Sequence, residues 1–291
     1  MEVEKRVGKI THISQLLPEQ LREPVSFDDV ELTDEEMKQA LDDARQKKVI
    51  RLEDERRKAL AAHALTEAMK PWDTRQLWLH VKARGDRMLQ LQSGNNAASF
   101  EQVDFQKPVI KALLLYFTGN PQFENLDVAE YNAVDARFSL TKGLWLWGNP
   151  GVGKTLLMQM FRINKRLCFD VVQCPKFAYN YVKFGDVVIT PYKRVLPADA
   201  SSYDNFFQKE KGVCYNDLGT EPLQSKHYGN AINVMETIFL ETYENKVPWW
   251  HRHVTTNLTW KQVEDSYGVR VKDRIRQCFN VIEIKGNSLR K

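Results

Sequence analysis

Gly148-Asn149-Pro150-Gly151-Val152-Gly153-Lys154-Thr155 is the stretch that decides how this chain is read. It fits G-x-x-x-x-G-K-[ST] without a gap. An apolar run at 144–147 precedes it, and Leu156, Leu157, Met160 and Phe161 follow at helical spacing. Strand, loop and helix in that order are the context the motif needs. The residue types follow from the chemistry. Glycines at 148, 151 and 153 let the backbone turn so tightly that its N–H groups face one concavity. The start of the following helix adds the positive end of its dipole. Lys154 is placed to reach β- and γ-phosphates, and Thr155 to offer a hydroxyl to Mg²⁺. Residues 148–155, with Asn149, Pro150 and Val152 between the glycines, are expected to cradle a nucleoside triphosphate.

Around the loop, short apolar runs alternate with helical segments. Strands are expected at 144–147, Phe169–Gln173, 213–215, 251–255 and 280–284, with helices over 153–166 and 228–244. That alternation implies an α/β fold, a P-loop NTPase parallel sheet sandwiched by helices. A P-loop site also needs an acidic residue at a neighbouring strand tip to hold Mg²⁺. The run Gly212-Val213-Cys214-Tyr215-Asn216-Asp217 is the candidate. Three readings are open. Asn216 orients metal-bound water by its carbonyl while Asp217 acts on the nucleophile. Alternatively, Asp217 serves the metal and another group, such as Glu221, positions the water. In the third, hydrolysis is slow and the site senses nucleotide. An amide at 216 removes a full negative charge beside Mg²⁺, which favours binding with slow hydrolysis. The candidate metal ligands are Thr155, Asn216 and Asp217.

Thr255-Thr256-Asn257 ends another apolar run. There Asn257 is placed to hold the attacking water or to report the γ-phosphate. In the blander reading, Thr256 or Asn257 caps a helix starting near Thr259. The segment 267–276 carries Arg270, Lys272, Arg274 and Arg276. In an assembly, an arginine there reaches a neighbour's γ-phosphate and stabilises transition-state charge. Arg274 is the first choice and Arg270 the second, although spacing alone fits a solvated basic face better. Arg162, Lys165, Arg166, Lys193 and Arg194 stand near Phe161, Tyr181 and Tyr192. Basic groups with stackable rings suit single-stranded DNA. Surface charge around core aromatics is the competing reading.

The first third of the chain reads differently. Thr33 and Glu36 have capping-box spacing, and no Gly or Pro interrupts Asp34 to Met69. Met37, Leu41, Ala44, Leu60, Ala61 and Leu65 make a thin apolar stripe, suited to a docking arm or to a solvated helix. A second helix is expected over 73–92, a loop at 93–96 and a third helix over 109–117. The formal net charge of +4 permits nucleic-acid contact without arguing for it. The four cysteines lack zinc-ligand spacing and read as buried residues of a reducing compartment. No signal core opens the chain and no apolar run spans a bilayer, so a cytoplasmic protein without membrane contact is expected.

Taken in order, GNPGVGKT, CYNDLGTEP, HYGNAINVM, HVTTNLT, YGVRVKDRIRQCFNVI and GNSLR resemble the DnaC-type helicase-loader ATPases and their IstB-type transposition relatives. The resemblance covers the chain from Gly143 onward. It implies an AAA+ core binding ATP with Mg²⁺, a sensor role for Asn257, and an arginine finger at Arg274 acting across a subunit interface. It also implies an ATP-dependent homo-oligomer on single-stranded DNA. A helical partner-binding region at 1–100 would grip the replicative helicase or another DNA-processing protein, ahead of an ATPase domain at 101–291. Asn216 departs from the family's paired acids. The chain ends soon after the last strand, so no separate helical lid is expected. An IstB-like regulator on duplex DNA and a monomeric P-loop phosphotransferase are the alternatives.

Overall fold

Thr33 and Glu36 close the expected capping box: Thr33 N–H donates to Glu36 Oε2 at 2.8 Å, and Glu36 N–H to Thr33 Oγ1 at 3.3 Å. They open helix α1 (Asp34–Met69). The computed structural model describes residues 31–133, 137–197 and 210–290. Residues 1–30, part of the expected partner-binding region, lie outside the described residues, as does the side chain of Leu65. Contacts divide the chain into two compact units, Met1–Ala68 and Met69–Lys291. Along α1, Met37, Leu41, Val49, Ile50, Leu52 and Leu60 are all exposed. Its local pairs, such as Lys58–Asp54 at 2.7 Å, are solvent-screened and add little each.

The second unit opens with α2 (Thr74–Ser93). Asp73 caps it in a box with Gln76, and Gly94 closes it in the left-handed conformation. Leu77 and Val81 of α2 are buried with the apolar face of α3 (Lys107–Thr118). α2 buries its apolar face in the second unit, and the division falls after Ala68.

From there strands and helices alternate. The order is β1 (Gly143–Gly148), α4 (Lys154–Phe161), β2 (Phe169–Gln173), α5 (Cys174–Phe184), β3 (Leu196–Pro197), β4 (Glu210–Leu218), β5 (Ser225–His227), β6 (Asn230–Ile232), α6 (Val234–Glu244), β7 (Arg252–Thr256), α7 (Trp260–Cys278) and β8 (Phe279–Ile284). Five strands form a parallel sheet in the order β2-β4-β7-β1-β8, and β3 pairs antiparallel to β4. Both faces are covered, so β1 and β7 are buried almost throughout, even where β7 carries Arg252, His253, Thr255 and Thr256. Alternate residues go to opposite faces. Leu144 and Leu146 of β1 join the core under α2, α3 and α4, while Trp145 joins the core under α5, α6 and α7. The sheet places β1, β4 and β7 side by side, so their C-terminal tips share one edge.

The five expected strands and the parallel sheet are present. Two local expectations are corrected. The helix after the phosphate loop stops at Phe161 rather than 166. The helix expected from 228 begins at Val234, where Asn233 caps it, and the preceding residues form the β5–β6 hairpin. In addition, α5 occupies a stretch to which the sequence pattern assigns no element, with Pro175 in its first turn. All four cysteines are buried and free. No helix among the described residues is long and apolar enough to cross a membrane.

Candidate nucleotide-binding site

The loop between β1 and α4 has the shape its glycines allow. Gly148 has φ 146° and Gly151 φ 83°. A Cβ on Gly148 would overlap the carbonyl of Ile284, and one on Gly151 would overlap Ser288 Oγ. Lys154 is the first residue of α4, following Gly153 at φ 97°. Its Nζ donates to the carbonyls of Gly148 and Asn149, both at 2.8 Å. The loop is braced from behind: Gln106 Nε2 donates to Val152 O at 2.9 Å, and Leu289 N–H to Gly151 O at 3.0 Å. A tight glycine loop thus joins a central parallel strand to a helix that opens with the lysine. The fold is that of a P-loop NTPase.

A cavity of about 960 Å³ lies over this P-loop. Lys154, Thr155, Asp217 and Asn257 line it, and so do Met88 and Leu89 of α2 and Arg290 of the C-terminal segment. Lys154 is only 5% exposed. Burial pulls its ammonium down to about 8, with Asp217 opposing that shift and Arg290 reinforcing it. A cationic, half-desolvated lysine among backbone N–H groups suits a polyphosphate. The Thr155 hydroxyl and Asp217 carboxylate supply the hard oxygen donors that Mg²⁺ takes, so the residues present fit that ion.

Asn216 is the exception among the expected metal ligands. It is 0% exposed and absent from the cavity wall. Its amide is already committed: Thr255 Oγ1 donates to Asn216 Oδ1 at 2.7 Å, and Asn216 Nδ2 donates to Asp217 Oδ2 at 2.8 Å. Glu221 is also turned away. Its carboxylate accepts from Gly219 N–H at 2.9 Å and from the Tyr267 hydroxyl. Buried on these partners and absent from the cavity wall, it is not placed against a water over the P-loop.

Asn257 follows the tip of β7 and is exposed to the cavity. It does not cap α7, because Thr259 does so with Gln262. Thr256 is spent on Leu218 O at 2.7 Å and on Leu258 N–H at 3.0 Å. Arg270 and Arg274 lie on α7 beyond a kink at Gly268, and neither lines the cavity of its own chain. Arg274 donates to the Tyr243 hydroxyl at 2.8 Å and lies 3.8 Å over that ring.

Two of the basic residues considered for DNA contact are structural. Arg166 donates to Tyr116 O at 2.7 Å and to Leu140 O, with its guanidinium 4.3 Å over the Tyr116 ring. Lys193 is buried on Glu241 at 2.8 Å. Phe161 and Tyr181 are core residues. Exposed rings stand elsewhere. On α5, Tyr179 and Phe184 are exposed beside Lys176 and Lys183. Tyr228, at the hairpin turn, is 97% exposed next to Lys226. His227 Nδ1 meets Val182 O at 3.1 Å and holds the hairpin on α5. Among the cavity residues not expected from the sequence is the cationic Arg290, whose only signal is the terminal GNSLR.

No protein-family model matches the chain, and no curated protein does. Its structural neighbours are DnaC, DnaA and DnaI. A solved DnaC helicase loader is 15% identical, over 65% of this chain and 95% of its own, with a TM-score of 0.39. AMPPCP-bound DnaA from Aquifex aeolicus is 15% identical over 65% of this chain and 49% of its own, at 0.40. DnaI is 22% identical over 64% and 88%, at 0.37. At these scores the likeness is one of partial superposition.

Proposed function

We propose that this chain is an AAA+-type ATP switch that assembles on single-stranded DNA and acts as a helicase loader. The nucleotide part is carried by one observation: Lys154 and Thr155 at the start of α4, Asp217 in β4 and Asn257 just after β7 line one cavity. The N–H groups of 148–155 bind the phosphates. The Lys154 ammonium exchanges the carbonyls of Gly148 and Asn149 for charged phosphate oxygens, a stronger acceptor. Thr155 and Asp217 hold Mg²⁺, which when bound offsets phosphate charge. Asn257 orients the attacking water. Asp217 is the one carboxylate on the cavity wall among the described residues, so metal and water compete for it and turnover is slow.

Arg274 completes the site of a neighbouring copy, leaving its rest on Tyr243 when the homo-oligomer forms. The region 1–100 is the partner-binding side, and the exposed charged length of α1 suits a helicase or another DNA-processing protein. Single-stranded DNA is placed on α5 and the β5–β6 hairpin, where Tyr179, Phe184 and Tyr228 stand among lysines. Exposed rings favour unpaired bases, whose faces are free to stack. This argues against the IstB-like reading on duplex DNA. The test is fluorescence anisotropy with single-stranded and duplex oligonucleotides of equal length, with and without ATP. ATP-dependent preference for the single strand supports the loader reading. Equal or duplex-preferring binding sinks it in favour of the transposition-type regulator.

A further inference from the structure

The tip of β4 is built in an unusual way. Its pairing with β7 slips between Tyr215 and Leu218. Inside the slip Asp217 has φ 55°, a region that side-chain-bearing residues avoid. Bulges of this kind re-aim a side chain. The hydrogen bonds that hold it close into a ring. Thr255 Oγ1 accepts from Asp217 N–H at 3.0 Å and donates to Asn216 Oδ1 at 2.7 Å. Asn216 Nδ2 then donates to Asp217 Oδ2 at 2.8 Å. Each group is used in the sense its chemistry allows, since a hydroxyl has one proton to give and lone pairs to receive. Turning the amide over would set its oxygen against the carboxylate. A carboxylate at 216 could only accept, so it would leave Asp217 Oδ2 without its donor and place like charges side by side.

We propose that Asn216 and Thr255 form a neutral clamp that fixes the Asp217 carboxylate toward the phosphate loop. Asn216 is then a positioning residue and not a metal ligand, and Asp217 alone supplies the negative charge of this site. The neutral residue at 216 serves the geometry instead of weakening it. The inference rests on the nucleotide-binding reading above and deepens it.

The experiment titrates a fluorescent ATP analogue into the full chain with and without Mg²⁺, and reads the gain in affinity that Mg²⁺ gives. Asn216→Ala loses the charge-assisted hydrogen bond to Asp217, and Thr255→Val loses the hydroxyl that orients the Asn216 amide, so each lowers that gain about 10-fold. Thr255→Ser restores it, and the double variant is no worse than either single one. Asn216→Asp lowers the gain too, while metal-free affinity stays within about two-fold throughout, because the phosphate loop is untouched. The result that overturns the clamp is a larger Mg²⁺ gain in Asn216→Asp, which would mark 216 as a ligand position. Additive losses, or no change in any variant, overturn it as well. Asn216→Asp and Thr255→Ser nearly preserve buried volume, so they decide the matter if the other two fail to fold. A wild-type chain that binds no nucleotide with or without Mg²⁺ removes the nucleotide reading itself, and the clamp with it.

Discussion

Replacing Gly151 with alanine perturbs the phosphate loop at one atom. At φ 83° an L side chain costs about 1–2 kcal/mol. The new Cβ also overlaps Ser288 Oγ, so the segment behind the loop must move. That movement breaks the bond from Leu289 N–H to Gly151 O, worth about 1 kcal/mol. Gly151 is partly exposed and carries no core side chain, so the loop escapes the strain by changing shape locally. The cost reappears when a triphosphate must draw the N–H groups back into one concavity. A total of about 2–3 kcal/mol corresponds to a loss of affinity of roughly 30- to 150-fold. Titration with a fluorescent ATP analogue reads that loss, and a thermal melt run beside it should move by only a few degrees. Gly151→Ala combined with Ser288→Gly removes the overlap but not the backbone strain, and should remain about 10-fold short of wild type. Binding of Gly151→Ala within about two-fold of wild type would refute the reasoning, because the loop geometry would then not be what holds the ligand.

Other perturbations separate structural from functional charges. Lys154→Met should abolish nucleotide binding yet raise the apo melting temperature at neutral pH. Lys154 sits near 8 when folded and higher when unfolded, so the unfolded chain holds more protons between those values and wild-type stability rises with pH there. The gap between the two melting curves should therefore close as pH rises from about 8 toward 10.5, and a gap that widens contradicts the assignment. Arg166→Ala should destabilise the fold by about 2–4 kcal/mol in urea while leaving DNA affinity unchanged, since it removes a charged donor from the carbonyls of Tyr116 and Leu140 and the guanidinium packed over the Tyr116 ring. Tyr228→Ala should weaken single-strand binding about 10-fold without changing ATP affinity, as read by anisotropy.

Local rules carried much of this molecule. The capping boxes at Thr33 and Asp73, the loop at 148–155 and the apolar strands depend on residues close in sequence. Features that depend on distant partners were not legible. Tyr228 has apolar spacing to Ile232 and Met235 and so fits a helical reading. The structure instead turns at Tyr228 and Gly229, both at positive φ, and Asn233 marks the true helix start. Lys193 and Arg166 look like surface charge until Glu241 and the carbonyls of Tyr116 and Leu140 come to meet them. The choice among the readings of Asn216 turns on Thr255, which lies on another strand. Arg290 enters the cavity only because the segment from Gly286 onward lies along the loop.

The claim that the catalytic site is shared between copies is tested by ATP turnover against protein concentration, with and without single-stranded DNA, for wild type and Arg274→Ala. Turnover that rises with concentration and DNA, and collapses in the variant while ATP still binds, is the predicted result. Turnover independent of concentration, DNA and Arg274 would contradict assembly and leave a monomeric phosphotransferase or nucleotide sensor.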